Sequence, residues 1–271
     1  MMMDHLERFL EEDIGCGDIT TELLVPDIDG KARIDCESDA VVAGLEEAIA
    51  IFEHRGIRCD PFVEDGSRVR KGTAVLGLSG KLKDIITVER TALNIMMRMT
   101  GIATATNDVL EKCRMKNGNV IISGTRKTTP GFRAFEKKAI MLGGGSPHRS
   151  RLDEMIFVKD NHIRAAGGMK NVIELLKDAP LGKRIEIEVE NLDDAVIAAN
   201  GGADVILIDN VGPKIAKDIA DAVRRICGAL IEVSGNITQE NASDYAGSAD
   251  IISMGSLTHS SKAVHFSLNV E

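Results

Sequence analysis

From residue 119 onward the chain repeats one pattern, an apolar strand followed by a polar loop and an amphipathic helix, and no other feature constrains its fold as tightly. The apolar runs are Val120 to Ile122, Met155 to Val158, Ile185 to Val189, Val205 to Ile208, Leu230 to Val233 and Ile251 to Ser253. Helical segments separate them at Phe132 to Leu142, Val172 to Asp178, Leu192 to Ala199, Lys214 to Arg225 and Gln239 to Tyr245. A helical crossover between consecutive strands makes them parallel, so the choice is a β/α barrel or an open parallel sheet. The strand ends favour the barrel, which gathers its chemistry at the C-terminal tips. Those tips carry Arg126 and Lys127, then Lys159, Glu188 and Glu190, Asp209, Ser234 and Gly235, and finally Gly255.

The first hundred residues follow a different rhythm. A short amphipathic helix is predicted over residues 4–14, and Asp18-Ile19-Thr20-Thr21 has turn chemistry. Short strands are predicted at residues 32–36, 40–43, 61–64 and 74–79, with a helix over 46–55 closed by Gly56. This mixture predicts a small α+β domain over residues 1–101 and a barrel domain over 102–259, with the chain end, 260–271, returning to the first. A helix from Arg90 to Thr100 crosses between the two.

Charge and composition exclude several function classes. A net charge of -9 and 3% aromatic residues speak against a nucleic-acid surface. Yet residues 126 to 164 hold nine Lys/Arg against four acids, a local reversal that predicts a focused anion site. Lys137 and Lys138 within that stretch read as helix-surface charge. The five cysteines show no C-x-x-C pair, and neither a secretory apolar region nor a membrane-spanning run is present, so reduced thiols and a cytoplasmic location are expected.

In Arg184-Ile185-Glu186-Ile187-Glu188-Val189-Glu190, period-2 alternation puts the glutamates on one face. In a barrel that face points inward, where carboxylates need a cation, a metal or water; Lys159 and Lys127 are the natural partners. The competing reading is an edge strand with a solvated acidic face. Glu188 and Asp209 offer hard oxygen ligands suited to Mg²⁺ or sugar hydroxyls, whereas His148, His162 and His259 lack zinc-motif spacing. Backbone for phosphate is available at Gly143 to Gly145, Ser234 to Asn236 and Ser253 to Ser256; the first can equally end a helix. Arg126, Arg149 and Arg90 are candidates for carboxylate recognition through the guanidinium fork, although Arg90 in its helical context reads first as a surface salt bridge.

Several motifs together resemble one family. Gly124-Thr125-Arg126-Lys127-Thr128-Thr129-Pro130-Gly131, Gly143 to Arg149, and Val158-Lys159-Asp160-Asn161-His162-Ile163 are similar to the signature of quinolinate phosphoribosyltransferases. The likeness extends through Glu89 to Asn94, Gly101 to Thr104, Glu186 to Val189, Ile208 to Asn210, Ser234-Gly235 and Gly255 to Ser260. It implies an incomplete parallel β/α barrel with a smaller N-terminal α+β sandwich domain, and a homodimer in which Arg90 is donated across the interface. Quinolinate would be held by Arg126, His148, Arg149 and Lys159, and phosphoribosyl pyrophosphate with Mg²⁺ near Lys127, Glu188, Asp209, Ser234, Gly235 and Gly255. Thr125, Asn236, Met254 and His259 complete the implied substrate contacts, with Lys127, Lys159, Glu188 and Asp209 as the catalytic set and Glu188 and Asp209 as the metal ligands. Gly124, Pro147 and Asn236 depart from the family's commonest residues there, which are Asp, Asn and Gly.

The implied reaction forms nicotinate mononucleotide, pyrophosphate and carbon dioxide, in de novo NAD biosynthesis. It suits these residues, because pyrophosphate departure leaves an oxocarbenium-like sugar that carboxylates stabilise while cations accept the leaving charge. Two other classes remain open at this point: a barrel aldolase using Lys159 as a Schiff-base amine, and a ligand-binding paralogue without turnover.

Overall fold

The computed structural model describes residues 2–117 and 119–271. Helix α1 (Met2–Ile14) buries Leu6 and Leu10, one turn apart. Asp18 then caps α2 (Ile19–Leu24), its carboxylate accepting the Thr21 N–H at 2.9 Å. The stretch expected as a turn is thus a helix start, since the same side-chain-to-backbone bond serves either purpose. There follow β1 (Asp29–Cys36), β2 (Ala40–Val41), α3 (Leu45–His54), β3 (Arg58–Pro61), β4 (Arg68–Val69) and β5 (Ala74–Lys81). The strand expected at 61–64 lies at 58–61 instead, closed by Pro61, which has no N–H to give a ladder.

Helix α4 (Leu82–Asn117) is 36 residues long, far beyond the predicted 90–100. Its buried positions, among them Ile85, Val88, Ala92, Met96, Met99, Ile102, Val109 and Cys113, continue at helical spacing on both sides of that window. Gly101 does not end it. A Cβ there would lie 2.1 Å from the Lys262 carbonyl oxygen, so the glycine lets the returning chain end lie against the helix.

The strand, loop, helix rhythm then appears as β6 (Ile121–Ser123), α5 (Arg133–Leu142), β7 (Ile156–Val158), α6 (Asp160–Ala165), α7 (Met169–Leu176), β8 (Ile185–Val189), α8 (Leu192–Asn200), β9 (Val205–Asp209), α9 (Pro213–Ile226), β10 (Leu230–Ser234), α10 (Ala242–Tyr245), β11 (Ile251–Ser253) and α11 (Ser256–His259), before a final strand β12 (Phe266–Val270). Local chemistry sets the helix starts: the Asn191 side chain accepts the Asp194 N–H at α8, and Pro213 occupies the first turn of α9. In α9, Ala216, Ile219, Ala220 and Val223 are buried at the spacing of one helix face.

The chain divides into two compact units, residues 1–105 with 134–143 and 261–271, and residues 106–133 with 144–260. The first holds an antiparallel sheet in the order β12-β1-β5-β3, with Ala32 opposite Val270 and Cys36 opposite Phe266. It also claims α5, which interrupts the barrel sequence. Phe135 packs edge-on to His5 at 6.3 Å, and Glu136 accepts from Arg98 at 2.8 Å. Lys138 reaches Glu46 at 2.6 Å and Glu47 at 2.8 Å, while Lys137 is 3% exposed. Neither lysine is surface charge, because α5 turns them into a packed unit containing the buried carboxylate of Glu47.

The second unit holds a parallel sheet in the order β6-β11-β10-β9-β8-β7. Strands β6 and β7 end the order and do not pair with each other, which makes the barrel incomplete. Strand β8 lies between β7 and β9, so the edge-strand reading of its glutamates does not hold. Among the described residues no helix is long and apolar enough to cross a membrane.

Candidate active site

Register and side-chain alternation determine which residues face the interior of the parallel sheet. Glu188 pairs with Leu207, Leu207 with Glu232, and Asp209 with Ser234, so these side chains share a face with Glu186 and Ser253. At the C-terminal ends of the strands that face opens into a pocket of about 360 Å³. Gly124, Thr125, Arg126 and Lys127 after β6, His148 and Arg149 before β7, Phe157 and Lys159, and then Glu188, Leu207, Asp209, Glu232, Ser234 and Ser253 line it.

One wall is cationic. Arg149 is 9% exposed, its Nη1 donates to the Met155 carbonyl at 3.3 Å, and its guanidinium lies 4.8 Å from the Phe157 ring centroid. Lys159 Nζ lies 4.5 Å from the same ring. Burial, with the nearby charge of Arg126, lowers the Arg149 pKa, against the opposing charges of Glu186 and Glu154. Arg126 Nε is buried and makes no hydrogen bond.

The opposite wall is anionic. Lys159 Nζ donates to Glu188 Oε2 at 3.2 Å, which ties the two walls together. Burial raises the Asp209 pKa, and the Glu188 charge adds to this against Lys159 and Lys127. Two carboxylates that repel each other in an open, polar pocket suit a hard divalent cation, and Glu188 and Asp209 fit Mg²⁺ in donor type.

Below lies a group of three. His148 Nε2 is 3.3 Å from Glu186 Oε2 and 3.5 Å from Glu232 Oε1, and each glutamate is 1% exposed. Burial alone pushes the imidazole pKa down, but hydrogen bonds and charge from Glu186 and Glu232 outweigh it and lift it to about 9. Against a second proton stands the Arg149 N–H, which donates to His148 Nδ1 at 2.8 Å. The neutral Nε2–H tautomer is the form this geometry describes, since a proton on Nδ1 would point at another N–H. Burial raises the Glu186 pKa, with His148 opposing and Glu232 reinforcing the shift.

The loops at the tips carry backbone strain. His148, Asn210 and Asn236 have φ of 54°, 57° and 52°, a left-handed conformation costly for residues with a Cβ. Asn236 Nδ2 donates to Asn210 Oδ1 at 3.1 Å, and a Cβ on Gly235 would lie 2.4 Å from that same oxygen, so the loops after β9 and β10 interlock. Gly255 allows a similar approach, with Lys127 Cδ 2.8 Å and His259 Nε2 3.2 Å from where its Cβ would be. Thr125 shapes its turn by accepting the Lys127 N–H at 3.0 Å.

Of the expected site residues, Thr125, Arg126, Lys127, His148, Arg149, Lys159, Glu188, Asp209 and Ser234 therefore converge on one pocket. Gly235, Asn236 and Gly255 lie on its flanking loops, and His259 ends the short helix α11 that follows Gly255. Met254 is 1% exposed, with its N–H bonded to Ser123 O at 2.9 Å, so its side chain belongs to the core. Arg90 stands on α4, 58% exposed, 3.7 Å from Glu89, and is not among the lining residues. Gly143 to Gly145 end α5, the bland alternative for that triplet, with the Gly143 N–H bonded to Ala139 O. Phe157 and Glu232 are site residues without a motif of their own; alternation along residues 230–234 places Glu232 on the face of Ser234, but an aromatic within an apolar run carries no signal apart from core.

Known proteins are similar to this chain over nearly its whole length. The family models described as quinolinate phosphoribosyl transferase, C-terminal domain and N-terminal domain, match residues 102–269 and 18–100. The probable nicotinate-nucleotide pyrophosphorylase (carboxylating) of Methanothermobacter thermautotrophicus is 39% identical, over 99% of this chain and 99% of its own. The human nicotinate-nucleotide pyrophosphorylase (carboxylating) is 35% identical over 89% of this chain and 82% of its own. The crystal structure of NadC from Streptococcus pyogenes superposes with a TM-score of 0.93 at 33% identity, covering 100% of this chain and 96% of that one.

Proposed function

The chain belongs to the quinolinate phosphoribosyltransferase family, and from that premise we infer how its pocket divides the work of the reaction. The enzyme transfers phosphoribosyl from phosphoribosyl pyrophosphate to quinolinate with decarboxylation, giving nicotinate mononucleotide, pyrophosphate and carbon dioxide in NAD biosynthesis. The observation that carries the division of labour is the opposition of Arg126, Arg149 and Lys159 on one wall to Glu188 and Asp209 on the other.

Quinolinate brings two carboxylates. Arg126 and Arg149 supply planar forks for them, with the unsatisfied Arg126 Nε as a donor in waiting. Lys159, poised over Phe157 and bonded to Glu188, keeps the acceptor ring beside the sugar. The ring nitrogen is the nucleophile, so no covalent enzyme intermediate is needed. Glu188 and Asp209 stabilise the positive charge developing on the sugar, and Lys127 meets the departing pyrophosphate. Ser234, Gly235, Asn236, Gly255 and His259 bound the phosphate end, where the backbone is shaped for close approach. Glu188 and Asp209 would hold Mg²⁺, which would supply neutralisation of the pyrophosphate charge there. As the positively charged ring loses carbon dioxide, Arg126, Arg149 and Lys159 steady the electron pair left behind.

We further read the active assembly as a homodimer in which the exposed Arg90 of one subunit completes the partner's pocket, working in the cytoplasm, where the five free thiols stay reduced. The direct test is pyrophosphate release with Mg²⁺ and quinolinate, nicotinate or no acceptor, with the product identified by mass. Release is expected with quinolinate alone and should vanish with chelator. Equal release with nicotinate would overturn the assigned carboxylate forks.

A further inference from the structure

Glu186 and Glu232 stand below the substrate walls, and the reaction outlined above does not employ them. Each is 1% exposed, and each has an oxygen, Oε1, without a hydrogen bond. Burial of a carboxylate costs several kcal/mol, roughly, so aliphatic side chains would stabilise the sheet interior better at these inward positions. What the two share is His148 Nε2, at 3.3 and 3.5 Å. We propose that Glu186 and Glu232 are positioning residues of the quinolinate site: Glu186 receives the Nε2–H of His148 through Oε2, with the Glu232 carboxylate charge beside it, which leaves Nδ1 to accept the Arg149 backbone N–H and so fixes the turn from which the guanidinium reaches the pocket wall.

Three observations fit this chain of contacts. His148 is a non-glycine residue at φ 54°, a conformation that needs support, and the 2.8 Å bond from the Arg149 N–H to Nδ1 supplies it one residue on. The ring can offer that lone pair only while its proton is held at Nε2, where the two carboxylates lie. From that backbone position, fixed through its own N–H, the Arg149 side chain reaches the pocket with its guanidinium 4.8 Å from the Phe157 ring centroid. The three side chains are also of metal-ligating types and lie within ligating reach of one another. A metal would require a lone pair at Nε2, which the hydrogen bond at Nδ1 denies it, and the positive charge of Arg149 acts on Glu186 at the same place.

The proposal rests on the quinolinate reading, so turnover of quinolinate by the unaltered enzyme is the control; its absence would count against that reading, not this one. With that control in hand, Glu186→Leu should raise the KM for quinolinate by ~10-fold or more while the KM for phosphoribosyl pyrophosphate stays within about twofold. Glu186→Gln, which keeps an acceptor oxygen, should recover most of the loss. An unchanged quinolinate KM in a folded Glu186→Leu enzyme, or an equal rise in both KM values, would overturn the proposal. Should Glu186→Leu fail to fold, the ¹⁵N shifts of His148 in the unaltered protein decide: an unprotonated Nδ1 supports it, and a protonated Nδ1 sinks it. Mn²⁺ found between His148, Glu186 and Glu232 in a soaked crystal would sink it as well.

Discussion

Arg149 makes a hydrogen bond to Met155 O and lays a flat face on Phe157, and with the proposed fork for carboxylate these are three demands that a lysine cannot meet together. Arg149→Lys keeps the charge but gives up the second bond and the stacking, together ~1.5–3 kcal/mol for charged hydrogen bonds. The expected result is a quinolinate KM raised by about one to two orders of magnitude with kcat changed far less, measured by steady-state kinetics at saturating phosphoribosyl pyrophosphate. Thiol chemistry gives a second expectation at this scale. Burial, with Glu53 and Asp60 adding negative charge, pushes the Cys59 thiol up to about 12, while Cys16 is exposed. Near pH 8, Ellman's reagent should therefore show a fast phase that Cys16→Ser removes and Cys59→Ser leaves intact. The cations at the strand ends were legible in the sequence because a parallel strand pattern exposes its tips. Glu232 was not, since a single acid inside Leu230 to Ser234 looks like any solvent-facing residue until the strand is known to be interior.

Elements were read well where periodicity was unbroken and poorly where a local signal had two meanings. The parallel strands of the second unit were legible within a residue or two, because each is an apolar run too short for a helix. Helix α4 runs well beyond the expected window of Arg90 to Thr100, and the glycine at 101 inside it is explained only by its contact partner. Gly101→Ala would set a methyl 2.1 Å from the Lys262 carbonyl oxygen, so either the helix or the returning chain end must shift. A loss of ~1–3 kcal/mol is expected, the usual cost of overpacking, read as a lowered urea midpoint. Helix α5 likewise gave no sequence sign of leaving the barrel pattern, because its partners Arg98, Glu46 and Glu47 are distant in the chain. Lys138→Met would strand the Glu47 carboxylate, 2% exposed, without its cation. Breaking such a pair costs ~3–5 kcal/mol, so unfolding in urea should fall sharply in midpoint, and Lys138→Arg should restore much of it.

At the scale of the whole molecule, the proposed exchange of Arg90 between subunits makes an unusually discriminating expectation. Arg90 is solvent-exposed on α4, and Lys159 belongs to the pocket, so Arg90→Ala and Lys159→Ala would each silence every site in their own homodimers. Dissociated and reassembled from equal amounts, half of the dimers would contain one subunit of each kind. In such a dimer one pocket pairs an intact Lys159 with an intact Arg90 from the neighbour, and the other pocket lacks both. About one quarter of the wild-type sites should then be active, the value set by two-fold exchange of a single residue. If Arg90 instead served its own subunit, no mixture would contain a complete pocket and the activity would stay at the level of the separate variants. Pyrophosphate release before and after mixing, with subunit exchange followed by native mass spectrometry, separates these outcomes. Recovery without detectable exchange would exclude the shared-site explanation as well.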